Sequence, residues 1–325
     1  MNVKYYRGKN AVITGAASGI GRSFALQLAS LGANLVISDI NSERLTQVEQ
    51  EIVERGGKVV SVVCDVTDTS QLANLAKISI EAYNDIHFLF SNVGMATGGF
   101  LPLLTPKLWD NIIRLNIWGM IYTINAFLPK MVEQGFGHII QTSSIAGSLG
   151  VGGLSPYTTT KFAEAGFCEA LYGEYFSKGI DVSIVCPFPL KTNLIENVGI
   201  GFPPGFLEDF SPEVTQEAIT AGKSLYWEEF TKKSGVLLNG FGGGWDVDCA
   251  VKKYLEKIQK KDLYIFENRL GRLFQFLRGF SPSLYKKILR ILGQRHTRLL
   301  AKTYQLATDK AKNLQIQQGI EPLEN

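Results

Sequence analysis

Short β-branched runs alternate along this chain with longer amphipathic stretches, and no other feature restricts its fold as strongly. Residues 11–13, 34–38, 58–63, 87–91, 138–142, 181–186 and 263–266 read as seven apolar strands. Helical periodicity fills 20–31, 42–55, 71–83, 106–134, 157–178 and 247–260 between them. Strands that are apolar throughout, rather than alternating, are buried on both faces. The connections are too long for hairpins, which calls for right-handed crossovers between parallel neighbours. The predicted architecture is α/β: a doubly wound, seven-stranded parallel sheet with helices on both faces.

Two regions break the rhythm. The connection 193–245 carries Phe202, Phe206, Phe210, Leu225, Tyr226, Trp227 and Phe230 and ends in a glycine-rich run. Connections of that length are usually lids or binding segments, so a substrate lid is expected here. The other region follows residue 267. From Asn268 to Lys312, eleven Lys or Arg accompany one acidic residue, Asp309; this stretch is +10 in a chain of total +3, leaving −7 elsewhere. Leucine, isoleucine and phenylalanine recur there at helical spacing, with Ser281 and Pro282 opening a second helix. Residues 1–267 are therefore read as the α/β domain and 268–325 as a basic amphipathic helical extension.

The extension can dock on its own subunit or lie on an anionic membrane through 268–312. Its aliphatic content and lack of a recognition module argue against nucleic acid. Cys64, Cys168, Cys186 and Cys249 lie far apart and read as small buried apolar residues in a reducing compartment. His87, His138 and His296 are equally scattered, so no metal is expected. Residues 1–10 lack the apolar run of a signal peptide, and no stretch has the roughly 18 apolar residues of a membrane span. A cytoplasmic location follows as the expectation, with peripheral membrane contact as the tail's alternative.

The first strand runs into Thr14-Gly15-Ala16-Ala17-Ser18-Gly19-Ile20-Gly21 and then a helix. Glycines there let backbone approach a pyrophosphate, and the helix N-terminus supplies N–H donors; Gly15, Ser18, Gly19, Ile20 and Gly21 are the candidate contacts. The spacing Gly-x-x-x-Gly-x-Gly meets the common dinucleotide fingerprint only in part. Asp39, 18 residues past Gly21, suits a pair of ribose hydroxyls and repels a 2′-phosphate. No Lys or Arg directly precedes Gly19 or follows Asp39, so NAD is favoured over NADP.

Tyr157-Thr158-Thr159-Thr160-Lys161 opens a later helix, and residues four apart share a face. A cation beside a phenol favours phenolate, which makes Tyr157 a candidate general acid/base with Lys161 lowering its pKa. Ser144, thirteen residues earlier at a strand end, is placed to donate to a substrate oxygen. Asn116 reads either as a satisfied core asparagine or as the anchor of a proton relay near Lys161.

In this order and spacing, TGAASGIG at 14–21, Asp39, CDV at 64–66, Asn116, Ser144 and YTTTK at 157–161 resemble the short-chain dehydrogenase/reductase family, in its single-domain NAD-dependent branch. The resemblance covers about 9–192 and 246–266 and implies a Rossmann-like sheet. It further implies that Asp65 and Val66 contact adenine, that Asn92, Gly94 and Pro187 border the cofactor, that Lys161 also holds the nicotinamide ribose, and that Thr192 reaches the carboxamide. A homodimer or homotetramer through the helices of Asn116 and Tyr157 is implied as well. The family's Asn-Asn-Ala-Gly segment is here Ser91-Asn92-Val93-Gly94, and its Pro-Gly step is Pro187-Phe188. Phe188 is therefore expected to wall the substrate pocket.

The implied reaction is hydride exchange between NAD and a secondary alcohol or ketone. Met95, Phe100, Leu149, Val151, Leu154, Phe188 and the aromatics of the insertion are expected around the crevice, without an added Arg or Lys. A lipophilic substrate of sterol, retinoid, terpenoid or fatty type fits that lining best. Two other readings stand beside it: a non-catalytic NAD-binding interaction protein, and an epimerase or dehydratase of related fold.

Overall fold

The computed structural model describes residues 3–190, 199–200, 207, 210–239 and 246–317. Seven strands form one sheet: β1 (Asn10–Thr14), β2 (Asn34–Asp39), β3 (Lys58–Val63), β4 (Phe88–Ser91), β6 (Gly137–Thr142), β7 (Ile180–Val185) and β9 (Tyr264–Ile265). Their order is β3-β2-β1-β4-β6-β7-β9, and every neighbouring pair is parallel. The expected doubly wound sheet is present. A second, two-stranded parallel sheet pairs β5 (Thr97–Gly98) with β8 (Gly199–Ile200), tying the segment after β4 to the segment after β7. Two-residue strands carry no periodicity, so this pairing is not legible in the sequence.

Side-chain alternation explains both layers. Val12, Val36, Leu89, Ile139 and Val182 face one buried cluster with α3 (Thr69–Tyr83), α5 (Gly119–Gln134) and α6 (Ser155–Tyr175). Ile13, Ile37, Phe90 and Ile140 face another with α1 (Gly19–Ser30), α2 (Ser42–Glu54) and α8 (Val247–Ile258). Asn41, Asp68 and Asp246 accept first-turn N–H groups, which starts α2, α3 and α8 where the chain leaves the sheet. The strand order reverses between β1 and β4, and this switch point opens a crevice at the strand C-termini.

The predicted helix over 106–134 is α4 (Pro106–Ile113) and α5 joined by a π-helical turn, Arg114–Trp118. An inserted π turn re-aims the side chains it carries, and Asn116 sits within it. The insertion holds a long helix, α7 (Pro212–Asn239), begun by Ser211, whose hydroxyl accepts the Val214 N–H. Of the aromatics singled out there, Phe202 and Phe206 and the side chains of Trp227 and Phe230 lie outside the described residues; so does Thr192.

The basic segment forms α9 (Arg269–Phe280) and α10 (Pro282–Gln317). α10 lies along α7, where a Cβ on Gly222 would stand 3.0 Å from Thr303 O and 3.2 Å from Ala307 Cβ. The Tyr226 hydroxyl and His296 Nε2 join the two helices at 2.7 Å. α10 also packs on the loop before α6: a Cβ on Gly152 would meet Gly293 Cα at 3.1 Å, and one on Gly153 would press on Leu300 and His296. One face of the extension is thus docked on its own subunit. Leu273, Phe276, Phe280, Leu284 and Ile291 remain exposed on the other. Cys64, Cys168 and Cys186 are buried, but Cys249 is exposed, because it lies on the solvent face of α8.

Candidate active site

The glycine turn and the start of α1 form one end of a cleft of about 610 Å³. Gly15 and Gly19 have φ of 68° and 53°, a region that suits glycine. Gly21 packs so closely that a Cβ would overlap Gly15 O. Asn92 holds the turn from outside: its N–H donates to Thr14 Oγ1 at 3.2 Å and its Nδ2 to Gly15 O at 3.3 Å. Ser18 is the N-cap of α1 but makes no side-chain capping bond. The first-turn N–H groups of a helix have no intrahelical partner, so they face the cleft as donors. Such a cradle, with no room for a side chain, fits a pyrophosphate.

Asp39 ends β2 beside this turn and accepts from the Ala17 N–H at 3.0 Å and the Asn41 N–H at 3.0 Å. Gly15, Ser18, Gly19, Ile20, Asp39, Asp65, Val66, Asn92, Gly94 and Pro187 all line the one cleft, together with Ser144, Tyr157, Lys161 and Phe188. Asp65 is turned partly inward, accepting from Thr67 N–H and Oγ1 at 2.8 and 2.9 Å. The Thr142 hydroxyl lines the cleft with no hydrogen-bond partner among the described residues.

Ser144 caps a short 3₁₀ turn, accepting the Ala146 N–H at 3.1 Å, and its hydroxyl is near enough to the Tyr157 phenol to favour phenolate. Tyr157 stands in the first turn of α6, started by Pro156. Lys161 lies one turn on, its Nζ 5.6 Å from the centre of the Tyr157 ring. Burial pushes the Tyr157 phenol up; Lys161 and Ser144 pull it down, and the net direction is up. The expected downward pull is outweighed by burial, and Glu164, which holds Lys161, opposes it further. The Lys161 Nζ donates to Glu164 Oε1 at 2.9 Å, to Oε2 at 3.1 Å and to Thr142 O at 3.2 Å. Burial alone would lower the Lys161 pKa, but Glu164 raises it overall.

Asn116 is fully buried, accepting the Met95 N–H at 2.8 Å and donating to Met95 O and Thr160 Oγ1, both at 2.9 Å. It is a satisfied core asparagine that also adjoins the reacting groups. A Cβ on Gly94 would lie 3.3 Å from Lys161 Nζ and 3.5 Å from Asn116 Oδ1.

The far end of the cleft is apolar, lined by Met95, Ala96, Val151, Leu154, Phe188 and Leu190. Two expected wall residues are elsewhere. Leu149 is in the core beneath, and Phe100 faces Tyr304 of α10 at a ring separation of 5.7 Å. Phe210 and Tyr226 pack α7 onto α10 rather than lining the cleft. The expectation of no added cation fails too: Arg114, the first residue of the π turn, lines the cleft. Behind Phe188, the buried Glu267 accepts the Phe188 N–H at 2.9 Å and the Tyr254 hydroxyl at 2.8 Å. Among the described residues no group of His, Cys, Asp or Glu could hold a metal ion.

The short chain dehydrogenase family matches residues 9–200, more than half of the chain. The chain is a short-chain dehydrogenase/reductase. This oxidoreductase is 34% identical over 283 residues to the human epidermal retinol dehydrogenase 2, covering 86% of this chain and 80% of the human one. It is 34% identical over 191 residues to a cyclohexanol dehydrogenase of Acinetobacter, covering 58% of this chain and 76% of that one. Among solved structures, a short chain dehydrogenase/reductase from Burkholderia phymatum in complex with NAD superposes with a TM-score of 0.71 at 27% identity, covering 86% and 95% of the two chains. A short chain dehydrogenase from Mycobacterium paratuberculosis bound to NAD gives 0.57 at 27% identity, covering 58% and 75%. The seven-stranded Rossmann-like fold is shared, and the cradle suits the nicotinamide dinucleotides of this family.

Glu164 and Glu267 were missed by sequence reasoning. Glu164 follows Lys161 by three, a spacing that shares one helix face, and that was the available signal. Glu267 directly follows an apolar strand, at the end where ligands bind.

Proposed function

We propose that this short-chain dehydrogenase/reductase transfers a hydride between NAD and a lipophilic secondary alcohol or ketone. One observation carries the reading: Ser144, Tyr157 and Lys161 meet in a single cleft between a glycine cradle with Asp39 and an apolar wall. Gly15, Ser18, Gly19, Ile20 and Gly21 would hold the pyrophosphate. Asp39 would hold the adenosine ribose and disfavour a 2′-phosphate. Bound there, the dinucleotide supplies the hydride donor or acceptor.

In reduction, Tyr157 Oη gives its proton to the carbonyl oxygen, and in oxidation it takes the proton back from the hydroxyl. Ser144 holds that oxygen and the phenol together. Asn116, beside Gly94 and Lys161, would keep a water that passes protons on. Phe188, Val151 and Leu154 exclude water around the reacting carbon. Retinol and cyclohexanol, the alcohols that two relatives are named for, are uncharged, as an apolar wall requires.

A homodimer or homotetramer through α5 and α6 belongs to the same reading; Trp118 and Phe176, beside them, are exposed. So does cytoplasmic residence with peripheral membrane contact through 268–312. Among the described residues no helix is long and apolar enough to cross a membrane. The exposed Phe276 and Phe280 lie among Arg272, Arg278, Lys286 and Lys287, a pattern suited to an anionic bilayer surface.

A panel of sterol, retinoid, terpenoid and fatty alcohols and ketones, assayed by NADH absorbance with NADP as control, tests the central claim. Turnover of uncharged lipophilic members with NAD is expected. Turnover confined to charged or sugar substrates would overturn it. Co-sedimentation with anionic vesicles at low salt tests the tail, and failure to bind would remove the membrane contact.

A further inference from the structure

Glu164 takes no part in the reaction as drawn, yet it is a fully buried charge set directly behind the reacting groups. It stands one turn past Lys161 on α6, with both carboxylate oxygens on the Lys161 ammonium at 2.9 and 3.1 Å. The Gln141 and Ser143 side chains also reach the carboxylate. An ammonium has three donors. Two go to Glu164 and the third to Thr142 O, so in this position Lys161 has none left for a ribose hydroxyl.

A buried ion pair is rarely worth more to stability than an apolar pair of the same size. Its effect on Tyr157 is larger. A lone unit charge at the 5.6 Å between Nζ and the ring would hold a phenol down by about two pH units at an effective dielectric near 20. Burial raises the phenol most, and a counter-charge in contact with that ammonium offsets part of its downward pull. The groups facing Tyr157 divide accordingly: Lys161 and Ser144 favour phenolate, whereas Glu164 from α6 and Cys186 from the end of β7 oppose it. Cys168, also on α6, and Cys186 border Glu164 and stay neutral thiols, since burial pushes both well up.

We propose that Glu164 is a positioning residue that offsets the Lys161 charge and draws its ammonium inward, so that the buried Tyr157 stays a phenol and the site favours carbonyl reduction near neutrality. The inference rests on Tyr157 being the acid/base of the reaction proposed above. In that direction the carbonyl carbon takes the hydride, the carbonyl oxygen takes the Tyr157 proton, and the resulting phenolate is reprotonated from solvent.

The test compares pH profiles of oxidation and reduction for wild type, Glu164→Gln and Glu164→Val. The glutamine keeps size and still accepts from the Lys161 ammonium through its amide oxygen, whereas the valine leaves that ammonium unpaired and should cost stability as well. With Lys161 still protonated in the glutamine variant, the expected result is a shift of both limbs by at least one unit to lower pH. Oxidation at pH 7 should then rise about tenfold relative to wild type. A purely structural role would lower turnover without moving the limbs. Superimposed profiles, or a shift to higher pH, would overturn the proposal. Tyrosinate absorbance of each protein minus that of its Tyr157→Phe counterpart reads the same ionisation without substrate. If wild type turns over no alcohol or carbonyl with NAD, the catalytic reading fails, while the titration still decides the role of Glu164.

Discussion

The Phe188 amide donates to Glu267 Oε1 at 2.9 Å, so a loop residue at the mouth of the cleft is fixed by a carboxylate at the end of the last strand. Glu267 also takes the Tyr254 hydroxyl at 2.8 Å, which links the loop to α8. Replacing Glu267 by Leu leaves a buried amide and a buried phenol without an acceptor, each costing about 1–3 kcal/mol. A lower melting temperature and a raised KM for NAD are expected. Glu267→Gln, which can still accept one of the two bonds, should show a smaller change in both. Equal effects of the two variants would mean that the loop is not held from Glu267.

Tyr157→Phe removes the transferable proton but keeps the ring. Turnover should fall by about 10²–10⁴-fold, with NADH binding, read by fluorescence titration, within a few-fold of wild type. Loss of binding together with turnover would contradict the division of roles between Tyr157 and the glycine cradle.

In the proposed reading Asp39 and the neighbouring Ile40, which is 68% exposed, set the choice between the two dinucleotides. Asp39→Ala with Ile40→Arg exchanges a repelling carboxylate for a guanidinium at the ribose. The ratio of kcat/KM for NAD over NADP should fall by at least tenfold. An unchanged ratio would move the selectivity elsewhere.

Acid should loosen the fold through its histidines. Burial holds His138 and His296 neutral, lowering each from about 6.5 to about 4. Between those values the unfolded chain binds protons that the folded chain refuses, so stability falls as pH drops. The slope is up to about 1.4 kcal/mol per pH unit for each ring. The stabilisation is complete above pH 6.5 and lost progressively toward pH 4. Denaturant midpoints across that interval should show a shallower slope for His296→Phe than for wild type, and parallel slopes would exclude His296 as a contributor.

The sheet was legible because its strands are continuous apolar runs with long connections, a pattern that admits few topologies. The residues of the cleft were legible because Gly15, Asp39, Ser144, Tyr157 and Lys161 each do a local job that one residue type does best. What escaped notice depends on packing between distant segments. The spacing of three puts Glu164 on the helix face of Lys161, but only the packed core turns the ammonium inward to meet it. Leu149 and Phe100 look like wall residues until the core and α10 claim them. Arg114 lines the cleft from the start of a π turn that no local pattern announces. The long helix α7 has apolar residues spread round its circumference, so its period was weak beside the glycine run that follows.

The contacts of α10 constrain length as well as composition. Gly152 meets it at Gly293, and Gly222 meets it at Thr303 and Ala307. Both contacts lie along one helix, where each added residue turns the following face by about 100°. A single insertion between Gly293 and Thr303 would keep the first contact and rotate the second away from α7. The segment with the loosest-looking, most charge-rich sequence therefore acts as a ruler, and only changes that preserve its helical phase between the two glycine crossings can be accommodated.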